Sequence, residues 1–323
     1  MKVSKRAEKY TSRTRASKKY SPVKLENIAN PHIQKVGVHK FENGEEVSIF
    51  DVADYRALNQ IIGYAKFINT NYGDVFYRGE AHLHGTLLPS ISRKPGSWKY
   101  EEQLSKVIGA AINDTKFSKF AKLSGFKGKN SASLVAEAAL QHYGYSTHFI
   151  DVVDNHWVAL WFGLNSFRTM KNINEYCFYE RRVINPIEII DPSPASNDIY
   201  QYLILIAVDN NMAPIERGIY FGNDVITIDL RSSLPSVFLR PHAQHGLVLR
   251  RNIHTPGESF DLSKNVIGIV RLRIDRVASW IGSGNLLSNE NLFPAPAYDH
   301  GYEVLLQRND LFVNKYHSIA RYI

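Results

Sequence analysis

Three short clusters hold the residue types that do chemistry. The first is Tyr77-Arg78-Gly79-Glu80. The second runs from Gln141 through His142, Gly144, Thr147 and His148 to Asp151, and the third spans Arg240 to Gly246 with His242, Gln244 and His245 inside it. An Arg at a strand end can grip a phosphate through two N–H groups at once, because its planar fork matches two oxygens. His142 and Asp151 are groups that hydrogen-bond a ligand or move a proton. The sequence lacks a Walker A loop, a GxGxxG fingerprint, an HExxH helix and a GxSxG elbow, so the chemistries those motifs serve lose their support. No metal is expected either, since His82/His84 and His242/His245 have no Cys or carboxylate at ligand spacing. Each cluster also has a purely structural reading. Arg78 can pair with Glu80 or Asp151, His142 can cap a helix end, Thr147 can be a turn hydroxyl, and Gln244 a satisfied buried amide.

Elements must bring these clusters together. Apolar residues from Val47 to Phe67 recur at near-helical spacing and end at Asn71-Tyr72-Gly73, after which Asp74–Tyr77 reads as a strand running into Arg78-Gly79. Helices are expected near 99–122, 132–143 and 156–168, with a strand over 148–153. Strands dominate later, over 176–183, 202–208, 218–221, 225–230, 246–249 and 266–274, and Asp191–Asp198 reads as a loop by its Pro and Ser content. Helices early and strands late predict the α+β class. The 323 residues are 44% hydrophobic, enough for a large core, and the single cysteine, Cys177, excludes an internal disulfide. No apolar run approaches the roughly 18 residues of a membrane span, which points to a cytoplasmic protein with no membrane partner.

Charge is unevenly placed. Residues 1 to 40 carry eleven Lys or Arg against two Glu, a net of +9, so the other 283 residues sum to about −1. This divides the chain into a basic, flexible arm over 1–46 and a catalytic-sized domain over 47–323. Lys2, Lys5, Arg6, Lys9, Arg13, Arg15, Lys18 and Lys19 are the candidates for nucleic-acid phosphate contacts, with an acidic protein partner as the competing use of the same charge.

The three clusters, with Pro89-Ser90, Arg93, the run Val158–Phe162 and Leu292-Phe293-Pro294, resemble the FRG domain, named for its Phe-Arg-Gly motif. Its pattern has an aromatic-Arg-Gly strand end, a Gln-His-x-Gly-x-Pro-Thr-Arg-Leu-Leu-Asp block and a late Ala-Gln-x-Gly. Gln141, His142, Gly144, Thr147, Asp151, Gln244 and Gly246 fit unchanged. Tyr77 stands for Phe, Ser146 for Pro, His148 for Arg and Val152 for Trp. The order Arg78, Thr147, Glu303 is in turn similar to that of ADP-ribosyltransferases of the Arg-Ser/Thr-Glu type, with Gly301–Leu306 resembling their Glu-bearing strand.

What these resemblances imply is an ADP-ribosyltransferase-like split-sheet core using NAD as co-substrate and no metal. Cleavage of the nicotinamide–ribose bond passes through an oxocarbenium-like centre, which needs a carboxylate. Glu303 would serve there, with Arg78, Thr147 and His142 as the other catalytic residues. Tyr77, Arg78, Gly79, Gly144, Asp151 and Gln244 would hold the cofactor, the glycines by letting backbone approach it. If Glu303 is structural, Gln244 or Glu80 inherits its role. The expected function is that of a toxin in a bacterial toxin–antitoxin or phage-defence system, modifying nucleic acid, with RNA favoured as acceptor and an antitoxin or chaperone as a further partner. The alternatives are a non-catalytic FRG module sensing a nucleotide or nucleic acid, and a metal-independent ribonuclease using His142 or His148.

Overall fold

The strand Tyr200–Val208 shows why the main sheet is covered on both faces. Its residues are apolar almost without interruption, the pattern of a strand buried front and back. Leu203, Leu205 and Ala207 pack with the helices Tyr55–Asn69 and His156–Leu164, while Ile204, Ile206 and Val208 pack on the other side with Phe41, Val47 and Phe76. Each such side chain contributes roughly 1.5–3 kcal/mol by leaving water. The strand therefore sits at the centre of the sheet.

The computed structural model describes residues 21–322 except 94–95, 171–172, 184–198, 210–213, 254–257, 283 and 313–318. The eight basic candidates from Lys2 to Lys19 and the Asp191–Asp198 loop lie outside the described residues. In chain order the strands are β1 (Ile33–Lys40), β2 (Glu46–Val52), β3 (Asp74–Glu80), β4 (Ile150–Val153), β5 (Asn165–Met170) and β6 (Ile173–Arg181). They continue as β7 (Tyr200–Val208), β8 (Ile219–Phe221), β9 (Val225–Asp229), β10 (Gly246–Arg251), β11 (Val266–Arg273) and β12 (Arg321–Tyr322). The helices of the first half are α1 (Tyr55–Asn69), α2 (Ser97–Asn113), α3 (Thr115–Phe120), α4 (Lys129–His142) and α5 (His156–Leu164).

Nine of these strands form one sheet in the order β1-β2-β11-β7-β3-β4-β10-β9-β8, antiparallel except for the β2–β11 pair. A second, smaller sheet has the order β12-β6-β5. The class is α+β, with the two sheets very unequal. Short helices return after residue 230, between and beyond the late strands.

Two boundaries differ from the sequence expectation. The helix expected to start at Val47 is instead β2 followed by α1, because Asp54 caps the helix by accepting from the N–H groups of Arg56 and Ala57. Apolar residues at period two had merged with those at period 3.6. The arm expected over 1–46 also ends earlier. β1 pairs antiparallel with β2, Leu25 is fully buried, and its N–H donates to the Ile267 carbonyl at 2.7 Å. Asn69 further clips this entry segment by bonding both the N–H and the carbonyl of Val23. The body is therefore in place by Val23, and its first strand lies inside the stretch assigned to the arm.

Candidate functional site

β3 lies between β7 and β4, and its last residues open into a cavity of about 590 Å³. Arg78 sits at its edge with both sides of its fork engaged. Nε donates to Glu80 Oε1 at 2.5 Å, and an Nη1 hydrogen reaches the Asp151 carbonyl at 2.7 Å. Burial opposes the Arg78 charge, but Glu80 and Asp151 outweigh it, so its pKa is held above the ordinary arginine value. Arg93, whose Nε donates to the Leu88 carbonyl, is pulled the other way by burial and by the charge of Arg78.

Asp151 is the second carboxylate of the cavity, and the α4–β4 connection positions it. Gln141 Nε2 donates to Asp151 Oδ2 at 2.6 Å, and His142 Nδ1 lies 3.4 Å from Oδ1. The Gln141 amide is itself fixed, because the fully buried Thr147 hydroxyl donates to its Oε1 at 2.8 Å. Thr147 thus orients Gln141 and through it Asp151. His142 is buried, and its Nε2 has no hydrogen-bond partner among the described residues. A ring nitrogen left without a partner inside a polar cavity wall is available to a ligand.

The glycines have packing and turn requirements of their own. A Cβ on Gly79 would stand 1.7 Å from the Ala159 carbonyl oxygen, so this glycine exists to let α5 press against β3. Gly144 has φ +94° and faces Ala320. Both line the cavity, yet helix packing and turn geometry account for them without a ligand. Tyr77 is similarly a core residue: 1% exposed, its ring meets His156 edge-on at 5.8 Å with Lys66 over its face.

The opposite wall comes from the small sheet. Phe167 on β5, Tyr179 on β6 and Tyr322 on β12 line the cavity together with Phe162 and Phe293. Phe293 stacks on Tyr322 at 4.5 Å and on Tyr179 at 4.8 Å. Behind them Arg240, fully buried, lies over the rings of Tyr322, Tyr143, Tyr302 and Phe293 at 4.4–5.2 Å. Stacked rings on a cation form a stiff surface. Burial pushes the Tyr179 phenol well above its ordinary pKa, so it stays a neutral donor. Gln244 also lines the cavity, with its Nε2 committed to the Leu292 carbonyl at 2.6 Å.

Two expected residues are elsewhere. Gly301–Leu306 belongs to the helix His300–Gln307, not to a strand, because Asp299 caps it by accepting from the Tyr302 N–H. Glu303 faces outward on that helix, bonded to His300 and Gln307, and does not line the cavity. His148 is held by Glu137, which also pairs with Arg250, and does not line the cavity with His142. Tyr179 and Tyr322 went unrecognised in the sequence. An aromatic alternating with apolar residues in a strand reads as core, and Tyr322 is placed by tertiary contacts, its parallel pairing with β6 and its stacking on Phe293.

Compared with known families, residues 73–172 match the model of the FRG domain, which spans β3 to β5 and the helices between them. No curated protein and no solved structure matches the chain.

Proposed function

Taking the FRG domain of residues 73–172 as given, we propose that this protein cleaves the nicotinamide–ribose bond of NAD in the cavity at the end of β3 and transfers ADP-ribose to a nucleic-acid acceptor. The observation that carries the reading is a cavity with an aromatic wall lined by Arg78 and two carboxylates, that of Glu80 bonded to Arg78 and that of Asp151 held by Gln141. That set matches the demands of N-glycosidic cleavage. As the bond breaks, its electron pair leaves on the nicotinamide nitrogen and positive charge grows at the ribose carbon, where a fixed carboxylate offsets it. Glu80, held by Arg78, takes the role the sequence offered to Glu303. Arg78 supplies positive charge for the pyrophosphate, and the wall of Tyr179, Phe293 and Tyr322 gives a planar ring a surface. The acceptor's lone pair then forms the new bond, and its proton passes to Asp151 or to His142.

The acceptor class is supported by the basic residues before residue 20 and suits a toxin acting on RNA in a toxin–antitoxin or phage-defence setting. One observation favours a second reading, a module that binds a nucleotide without reacting: Arg78 already spends two edges on internal partners. The test is to incubate full-length protein with NAD labelled in its adenylate phosphate and separate pools of RNA, DNA and protein. Label is expected in RNA, with release of nicotinamide. Tight NAD binding without release would establish the binding module instead, and label confined to protein would overturn the nucleic-acid acceptor.

A further inference from the structure

We infer that the elbow joining α3 to α4 is a docking surface for the phosphates of a nucleic-acid strand, and that it serves the cavity at the far end of α4. The stretch from Thr115 to Asn130 contains no acidic residue. Phe117, Ala121, Leu123 and Phe126 are buried and fasten it to the body. Between and beside them Lys116, Lys119, Lys122, Lys127 and Lys129 are all exposed. Anchored by buried neighbours, these lysines form a basic face on an ordered frame, and the charge they present is local and concentrated.

Little on the protein neutralises this face. Two carboxylates bond to the stretch, and both are committed. Asp114 accepts the Phe117 N–H and pairs with Arg308 at 2.6 Å, while Glu216 accepts the Lys127 N–H and the Ser131 hydroxyl. Glu216 offsets Lys127 in part. Lys116, Lys119, Lys122 and Lys129 make no ion pair among the described residues. Arg217 adds a further exposed cation, its guanidinium over the Phe126 ring at 5.8 Å. Cations therefore outnumber the carboxylates they meet.

The composition of the face selects the partner. No large apolar side chain from Thr115 to Asn130 is exposed. A protein interface is depleted in lysine at its centre and anchored by aromatic residues, and a membrane-binding face needs apolar side chains to insert. Lysines alone, each a point charge on a flexible stem, suit the serial phosphates of a polynucleotide. Position points the same way. α4 starts at Lys129 and ends at His142, and Gln141 and His142 line the cavity. Its 14 residues span about 21 Å, on the order of six phosphates at the spacing of one strand in a duplex. A strand held at the first end of α4 thus reaches the cavity at its last. The inference rests on the nucleic-acid part of the proposed function but not on NAD chemistry.

The experiment uses the full chain without NAD. Binding of a fluorescein-labelled, single-stranded 20-nucleotide RNA is followed by anisotropy from 50 to 200 mM salt, with a thermal melt of each variant. The triple variant Lys116→Gln, Lys119→Gln, Lys129→Gln is expected to lower the log–log salt slope by about 2, the value for three lost contacts to a single strand, and to weaken binding at 50 mM salt about tenfold or more. These side chains are exposed, so the melting point should not move. Arginine at the same three positions should keep both slope and affinity. A control variant, Lys35→Gln, Lys40→Gln, Lys264→Gln, removes the same charge elsewhere; Lys35 and Lys40 lie on β1, at the sheet edge opposite β8, next to which Glu216 bridges to Ile219. It should leave the slope unchanged. An unchanged slope in the first triple variant, an equal loss in the control or in the arginine variant, or no RNA binding by the unaltered protein at 50 mM salt would overturn the surface. So would a 20-residue polyglutamate that competes as well as unlabelled RNA, since an acidic protein would then be the partner. Label transfer from NAD is a separate readout, so a failure here is distinguishable from a failure of the transferase reading.

Discussion

Both sheets line the cavity, and they contribute different chemistry. The nine-stranded sheet brings Arg78, Glu80 and Asp151, all charged and all tied into hydrogen bonds with neighbours in the FRG stretch. The three-stranded sheet brings rings, of which Tyr179 and Tyr322 lie beyond that stretch. On the proposed reading this is a division of labour: the reacting carboxylates would sit on β3 and β4, strands that packing fixes, and the surface for a planar ring on a small sheet completed by two residues of β12.

Substitutions should separate the two sides. The largest effect is expected from Glu80→Gln or Asp151→Asn, which keep shape and remove charge. Transfer should fall about a hundredfold or more, with NAD binding retained, read by single-turnover kinetics and calorimetry. Full activity in both variants would place the reacting carboxylate outside this cavity.

Arg78→Ala comes next and reports on both activity and stability. The sequence favoured a residue that serves ligand alone, whose loss would leave the melting point unchanged. The structure gives a different expectation, because Arg78 ties Glu80 to the β4 backbone. Losing two hydrogen bonds from a charged, partly buried group should cost about 1.5–3 kcal/mol by urea unfolding, alongside loss of NAD binding. An unchanged urea midpoint would show that these bonds are not stabilising.

Tyr322→Ala tests the aromatic side. Removing one stacking ring should weaken NAD binding by about tenfold, consistent with roughly 1–3 kcal/mol for base–aromatic stacking, while the single-turnover rate at saturation stays the same. Tyr322→Phe keeps the ring and should restore affinity. A fall in the saturating rate for Tyr322→Ala, with affinity intact, would mean that the two sides do not divide the work. The smallest effect belongs to Glu303→Gln, expected within about 0.5 kcal/mol of the unaltered stability and with unchanged transfer, since Glu303 is an exposed helix residue.

Much of the site was legible because its polar half is local in sequence. Gln141, His142, Thr147 and Asp151 span eleven residues, so one helix end, one turn and one strand suffice to assemble them. Strands β7 to β11 were legible for a related reason: each is a local run of aliphatic, β-branched or aromatic residues. Glu303 misled because Glu-Val-Leu-Leu suits a strand or a helix equally, and the deciding residue, Asp299, stands four positions earlier as a cap. β1 was hidden by polar composition, as expected of an edge strand whose outward residues face solvent. Of the aromatic half, only Phe162, within Val158–Phe162, and Phe293, within Leu292-Phe293-Pro294, were singled out. Phe167, Tyr179, Phe293 and Tyr322 are spread over more than 150 residues, and only tertiary pairing makes them neighbours.

The contact between Gly79 and α5 bears on how the cavity can open. With no space even for a methyl group between strand and helix, the jaw that holds Arg78 and Glu80 is bolted to the frame. It cannot recede to admit a bulky acceptor. The other wall is held by different means: β12 is two residues long, but Tyr322 stacks on Phe293, lies under Arg240 and donates its N–H to the Tyr302 hydroxyl. The cavity is therefore a slot between two held walls, and its width sets what can enter.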